Sequence, residues 1–281
     1  MKTSEQLISV IRDNLDTETI DWLLEKLEVI LISDSAKDLY LTYTLIAAKV
    51  SARTDIVYQK DTEIIGYLKA QEANLHQIVR IFLLAKVLEE KPTYFTAKVA
   101  NLIQVADTAE LVTFLKFLVW LPNPKTFNQT AVEALRTNIS QVFMAIALNN
   151  PYPEKFFTEQ QWNQMYLKAA FMQLDLGAII GVDERANEDL ARIISDYAHE
   201  RWAASRDIDP LFWRPVVKFL KGTLKEDMNR LLSSQNLLEN KAGVLCCFRS
   251  EDLELRELMG QHPEIMNLVS NDRLTWENFK Q

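Results

Sequence analysis

Only six glycines and eight prolines punctuate 281 residues. The prolines stand at the edges of periodic segments, not inside them. Both residues break helices, proline by losing a donor and clashing with the preceding turn, glycine by its backbone entropy. A chain this poor in breakers can run as helix over most of its length. Apolar residues recur at helical spacing, as in Ile20, Leu23, Leu24, Leu27 and Ile30. Val, Ile and Thr build no alternating run closed by hairpin turns, so strands are not needed.

The sequence therefore predicts an all-α protein with helices of about 10–20 residues and short connections. Asp107-Thr108-Ala109-Glu110 and Thr158-Glu159-Gln160-Gln161 carry the capping-box pattern, in which the first side chain and the fourth each bond the other's amide. Lys91-Pro92 ends one helix, because proline disfavours helix in the residue before it. Asp209-Pro210 restarts one, with Asp209 as cap and Pro210 at the first helical position. Thr223 is expected to cap the next. A single long helix is expected over Thr126–Leu148, and another over about Glu184–Ser205. Consecutive helices with short loops pack as hairpins. No repeat consensus is present, but the hairpins recur at roughly 35–45 residues, the spacing of HEAT-like units. An irregular α-α superhelix is the first expectation and a globular helical bundle the second. Gly222 marks the expected domain boundary, with residues 1–221 as the superhelix and 222–281 as a smaller C-terminal portion of short helices.

Charge and composition narrow the function classes. The net charge is −8, and an acidic surface repels phosphate backbones and anionic lipid heads. Nucleic acid is not an expected partner. The start, MKTSEQLISVIRDNLD, lacks the apolar core and cleavage site of a secretory signal. Lys86 and Lys116 cut the most apolar runs below the roughly 20 residues of a membrane span. The only cysteines, Cys246 and Cys247, are adjacent and poorly placed to bridge each other or chelate metal, so they read as small helical residues. A cytoplasmic location fits this cysteine usage. No phosphate-binding glycine loop, HExxH or GxSxG motif is present, and no cofactor is expected.

Glu133–Pro215 holds the most distinctive residues. The segments EALRTNISQVFMAIALNNPYPEKFF, WNQMYLKAAFM and GVDERANEDLARIISDYAHERWAASRDIDPLFWRP resemble the EboA family; DLYLTYTLIAAKV and LTWENF are compatible but less specific. The resemblance implies a role in moving secondary-metabolite precursors out of the cytoplasm. It also implies companion proteins of the same system: a TatD-like metal-dependent hydrolase, a UbiA-like membrane prenyltransferase homologue and a sugar-phosphate-cyclase-like enzyme. It implies no active-site residues.

Three constellations in this region could carry chemistry, each with a plainer structural reading. Asp196, His199 and Glu200 share one helix face and could act as an acid–base or metal group. A metal would need a second, facing half, for which His76, four residues after Glu72, is a candidate. The plainer reading pairs Asp196 with Arg192 and leaves His199 held by a neighbouring carboxylate. Arg185 and Asn187, with Arg136 and Asn138, could line a polar cleft for carboxylate or phosphate, or could form an internal network that orients helices. Asp183 and Glu184 are expected in the first turn of their helix, where the dipole favours acids. Trp162, Tyr166, Trp202, Phe212 and Trp213 are either core or the wall of a pocket for a small apolar or aromatic metabolite. The resulting expectation is a non-enzymatic adaptor or carrier that binds through a surface around Asn138, Asn163, Arg185, His199 and Trp202. The alternative is an enzyme acting on a secondary-metabolite precursor through Asp196, His199 and Glu200.

Overall fold

A computed structural model describes residues 2–280. Among them are seventeen α-helices and four short 3-10 helices, with no strand. Their contacts group into two compact units, the first ending at Tyr152 and the second beginning at Pro153. The first contains α1 (Thr3–Asn14), α2 (Thr17–Ser33), α3 (Ala36–Lys49), α4 (Glu63–Ala70), α5 (Leu75–Glu90), α6 (Pro92–Ala100), α7 (Leu102–Val105), α8 (Thr108–Lys116), α9 (Asn128–Ala134) and α10 (Ser140–Ala147). A five-residue helix, α11 (Tyr152–Phe156), straddles the division. The second contains α12 (Glu159–Phe171), α13 (Glu188–Ala203), α14 (Thr223–Leu232), α15 (Leu237–Cys247), α16 (Leu253–Met259) and α17 (Pro263–Ser270).

The first unit is organised around α5. Its capping box is complete: Asn74 accepts from the Gln77 amide and Gln77 reaches back to the Asn74 amide. Eleven of its sixteen residues are buried, on every side of the helix. A helix apolar all round must be central, and α1, α2, α3, α6 and α8 all pack on it. One hydrophobic helix thus collects five others. Buried Arg80 of α5 donates Nε–H to the Tyr43 carbonyl at 3.1 Å, and its Nη2 lies 3.5 Å from the Glu110 carboxylate.

The second unit is organised around α15, which packs on α14, α16, α17 and the 3-10 segment Pro210–Val216. Small residues permit this. A Cβ on Gly243 would stand 3.0 Å from Leu232 Cγ, so α14 and α15 approach so closely that any larger side chain would have to push Leu232 aside. Cys246 and Cys247 fill the same helix as buried small residues, as expected. Burial pushes both thiols up, Cys247 to about 12. Gly222, the expected domain boundary, lies inside this unit.

Local signals are reproduced closely at several termini. The boxes at Asp107/Glu110 and Thr158/Gln161 form, Pro92 starts α6, and Asp209 caps the segment opened by Pro210. Three expectations are corrected. Thr126–Leu148 is not one helix: a 3-10 turn, α9 and α10 replace it, broken over residues 135–139. There the Thr137 hydroxyl accepts the Ile139 amide, a side-chain bond that competes with the helical ladder. The helix expected from Glu184 starts at Glu188, because extended Asn187 (φ −144°) caps it by accepting the Leu190 amide. Asp183 and Glu184 therefore lie outside the first turn, which Glu188 and Asp189 occupy. Thr223 is the first residue of α14, not its cap; Gly222 precedes it at φ +55° and gives no side-chain bond.

Candidate binding site on the second unit

Two packed helices, α13 and α14, each present a pair of functional side chains three residues apart. α13 carries His199 and Trp202, α14 carries Asp227 and Arg230. This i, i+3 spacing puts each pair on one helix face, and the packing of α13 on α14 brings the pairs together. Asp227 is 2% exposed. Its carboxylate takes two donors: Ser195 Oγ–H to Oδ2 at 2.6 Å and His199 Nε2–H to Oδ1 at 2.6 Å. A buried carboxylate needs such partners, since an unpaired one would carry the full desolvation cost. His199 itself is half exposed. With Nε2–H committed to Asp227, Nδ1 is the remaining ring nitrogen. Ser195 shares the carboxylate of His199 and donates to it, so histidine does not activate this hydroxyl as in a nucleophilic triad.

Beside the dyad lies an aromatic stack. The Trp202 ring is 5.5 Å from His199 and stacks at 5.6 Å on buried Trp213. Arg230 lies over the Trp202 ring, its Cζ 4.1 Å from the centroid, a close cation–π contact. Trp202 and Arg230 border an open cavity of about 540 Å³, with Arg206, Ser233 and Glu239 on its other walls. The lining offers both charges, hydroxyls and one aromatic face.

The candidate residues named from sequence divide among several places. His199 and Trp202 join this site. Asp196 does not: it pairs with Arg192 at 2.8 Å on an exposed face, as the plainer reading held. Glu200 is exposed on the same helix, and the trio is not brought together; the carboxylate that holds His199 is Asp227. Asn163 and Asn187 bond each other reciprocally through their amides, at 2.9 and 3.1 Å. The Arg185 guanidinium donates to the carbonyls of Glu154 and Phe157 and lies 5.3 Å from the Trp162 ring. These three residues thus tie α12, the start of α13 and the segment after α11 into one internal network. Arg136 and Asn138 belong to the first unit, exposed in the turn between α9 and α10. His76, also in the first unit, donates Nε2–H to the Val50 carbonyl at 2.5 Å. Among the described residues, no group of three His, Cys, Asp or Glu side chains is placed to hold a metal ion. Trp162, Tyr166, Phe212 and Trp213 are core, with Tyr166 and Phe212 stacked at 5.8 Å.

Asp227 and Arg230 were not anticipated. The signal was present: Asp227 sits among Leu224, Met228, Leu231 and Leu232, where a carboxylate on the apolar side of a helix demands a partner.

The fold and site define an all-helical protein whose best-formed polar features hold side chains in place. No helix among the described residues is long and apolar enough to cross a membrane. The chain belongs to the EboA family: the family profile, described as metabolite traffic protein EboA, matches residues 3–217. No curated protein and no solved structure matches the chain. The match spans the first unit almost entirely and includes His199 and Trp202; Asp227 and Arg230 lie beyond it.

Proposed function

We propose that this chain serves metabolite traffic as a non-catalytic adaptor or carrier in the cytoplasm, acting by binding. The observation that carries the reading is the half-buried Trp202, braced by Trp213 and capped by Arg230 at the rim of an open cavity. An aromatic face with a guanidinium beside it suits a protein anchor or an aromatic metabolite. The partners are the companion proteins of the system, including the TatD-like hydrolase and the UbiA-like membrane protein. The family description supports the traffic role, and the braced tryptophan supports binding as its means.

The test is capture of each companion protein by the purified chain, compared with Trp202→Ala. Removing an interface tryptophan costs a hot-spot contact of about 2 kcal/mol or more, so capture should weaken at least tenfold. Equal capture by wild type and variant would remove this surface from the reading.

One observation favours the enzyme alternative. A half-exposed histidine held by a buried carboxylate is the geometry of an oriented general base. That reading uses His199 and Asp227, not Asp196 and Glu200. Incubation of the chain with extracts of secondary-metabolite precursors, followed by mass spectrometry, separates the two. Turnover that disappears in His199→Gln would establish the enzyme, and unchanged precursors alongside retained capture would leave the adaptor.

A further inference from the structure

The first unit contains a cavity of about 520 Å³ between the N-terminal turn of α5, α8 and α10. This volume is in the range of small-molecule sites. Its lining is unusual for so acidic a chain. Arg80, Lys116 and His76 contribute to its wall, and no Asp or Glu does. Val112, Met144 and Leu148 form an apolar part of the same wall.

The two cations differ in how they are partnered: Arg80 has one long ion pair with Glu110, and Lys116 has none among the described residues. Arg80 is 4% exposed, and among the described residues its only carboxylate contact is the single 3.5 Å approach to Glu110. That is far from the bidentate geometry a buried guanidinium prefers; its other contacts are the Tyr43 carbonyl and the Tyr43 ring, 5.2 Å from Cζ. Among the described residues, Lys116 has no carboxylate within ion-pair distance, and its Nζ reaches only the Gln71 carbonyl, at 3.5 Å. Burial lowers the Lys116 pKa, and the more distant charge of Glu72 opposes this only in part. A half-buried ammonium without a counter-ion costs stability. The positive end of the α5 dipole lies at the same wall.

We propose that this cavity binds a small amphipathic anion: a carboxylate, phosphate or sulfonate on an apolar or aromatic body. The acidic group meets Lys116 and Arg80, and the body lies against Val112, Met144 and Leu148. The site is separate from the Trp202 surface and does not depend on it.

The test is fluorescence titration of the full chain with 8-anilinonaphthalene-1-sulfonate. N-phenyl-1-naphthylamine, with the same rings and no sulfonate, is the neutral arm, and inorganic phosphate is the headgroup-only competitor. The expected result is saturable one-to-one binding of the sulfonate. Lys116→Met should weaken it about tenfold or more, the effect of losing one charge-assisted contact. Met144→Trp, at a partly exposed position, should fill the apolar wall and abolish it. Circular dichroism checks that both variants fold, and if Lys116→Met does not, Met144→Trp decides alone. Unsaturable binding, equal affinity in both variants, or a neutral probe as tight as the sulfonate would overturn the proposal. Displacement by phosphate at concentrations matching the probe would overturn its amphipathic part.

Discussion

The two units solve the same problem, burying a central helix, with residues of different size. In the first, α5 is buried mainly through apolar residues such as Ile78, Ile81, Leu83, Leu84 and Val87, all fully buried, with Arg80 as the buried polar exception. In the second, α15 is built from Ala242, Gly243, Cys246 and Cys247, and much of the surrounding order comes from side-chain bonds. Asp227 joins α13 to α14 through Ser195 and His199. Arg214 reaches both Asp183 and Glu277. Lys225 of α14 reaches Asp252 and Glu254 at the start of α16. Around its central helix the first unit draws chiefly on large apolar residues, and the second on close approach with paired polar groups at its edges. Area is insensitive to pH and tolerant of position, whereas paired groups depend on both.

The comparison breaks first at its strongest point. Leu83→Ala, at a fully buried site of α5, should cost about 2–5 kcal/mol through lost transfer energy and a cavity. Urea denaturation with peptide-resolved hydrogen exchange should place the loss in α1, α3, α5 and α8. A cost below about 1 kcal/mol would show that the α5 core repacks freely. Gly243→Val tests the second unit in the opposite sense, by adding volume where Leu232 and Leu231 already stand 3.0–3.3 Å from a Cβ. Overpacking of this kind costs about 1–3 kcal/mol, and the same exchange experiment should show it in α14 and α15. Asp227→Asn keeps the shape but replaces a carboxylate that accepts two donors with an amide that cannot accept both equally. A loss of about 1–3 kcal/mol is expected for a buried polar group left mismatched. An unchanged urea midpoint would mean the dyad adds nothing to the α13–α14 contact.

The smallest effect concerns pH. The hydrogen bond from Lys225 holds the Asp252 carboxyl below its ordinary value of 3.8, with the Leu255 amide adding to it. A carboxyl lowered in the folded state binds fewer protons there than in the unfolded chain. Its contribution is therefore complete above 3.8 and is lost as pH falls through the lower folded value. Lys225→Met should flatten the acid limb of exchange protection in α14 and α16 and leave α5 unaltered. Both groups are surface groups, so the change will be slight and will shrink further with added salt.

Much of the candidate site could not be read from residue spacing alone. His199 stood out because it shares a helix face with Asp196 and Glu200, and Trp202 because it is one of five large aromatics in one region. The partner of His199 is twenty-eight positions away, beyond a helix boundary, a 3-10 segment and a loop. The nearer carboxylates Asp196 and Glu200 looked better by spacing. They lost because the α13 face they occupy points to solvent, where Arg192 satisfies Asp196. For Arg185 and Asn187 spacing left both a ligand cleft and an internal network open, and the Glu154 and Phe157 carbonyls and the Asn163 amide place them in a network.

The sequence by itself determined the secondary structure class and most helix ends. Scarce breakers, helical periodicity and capping pairs act within a few residues of chain, where sequence distance and spatial distance are nearly the same. It also carried the resemblance to the EboA family, centred on Glu133–Pro215. Only the tertiary structure decided that α5 and α15 are the two centres, that Asp227 holds His199, and that Lys116 and Arg80 meet over one cavity. Those outcomes depend on which faces pack, and packing is settled by the summed burial of many side chains far apart in sequence.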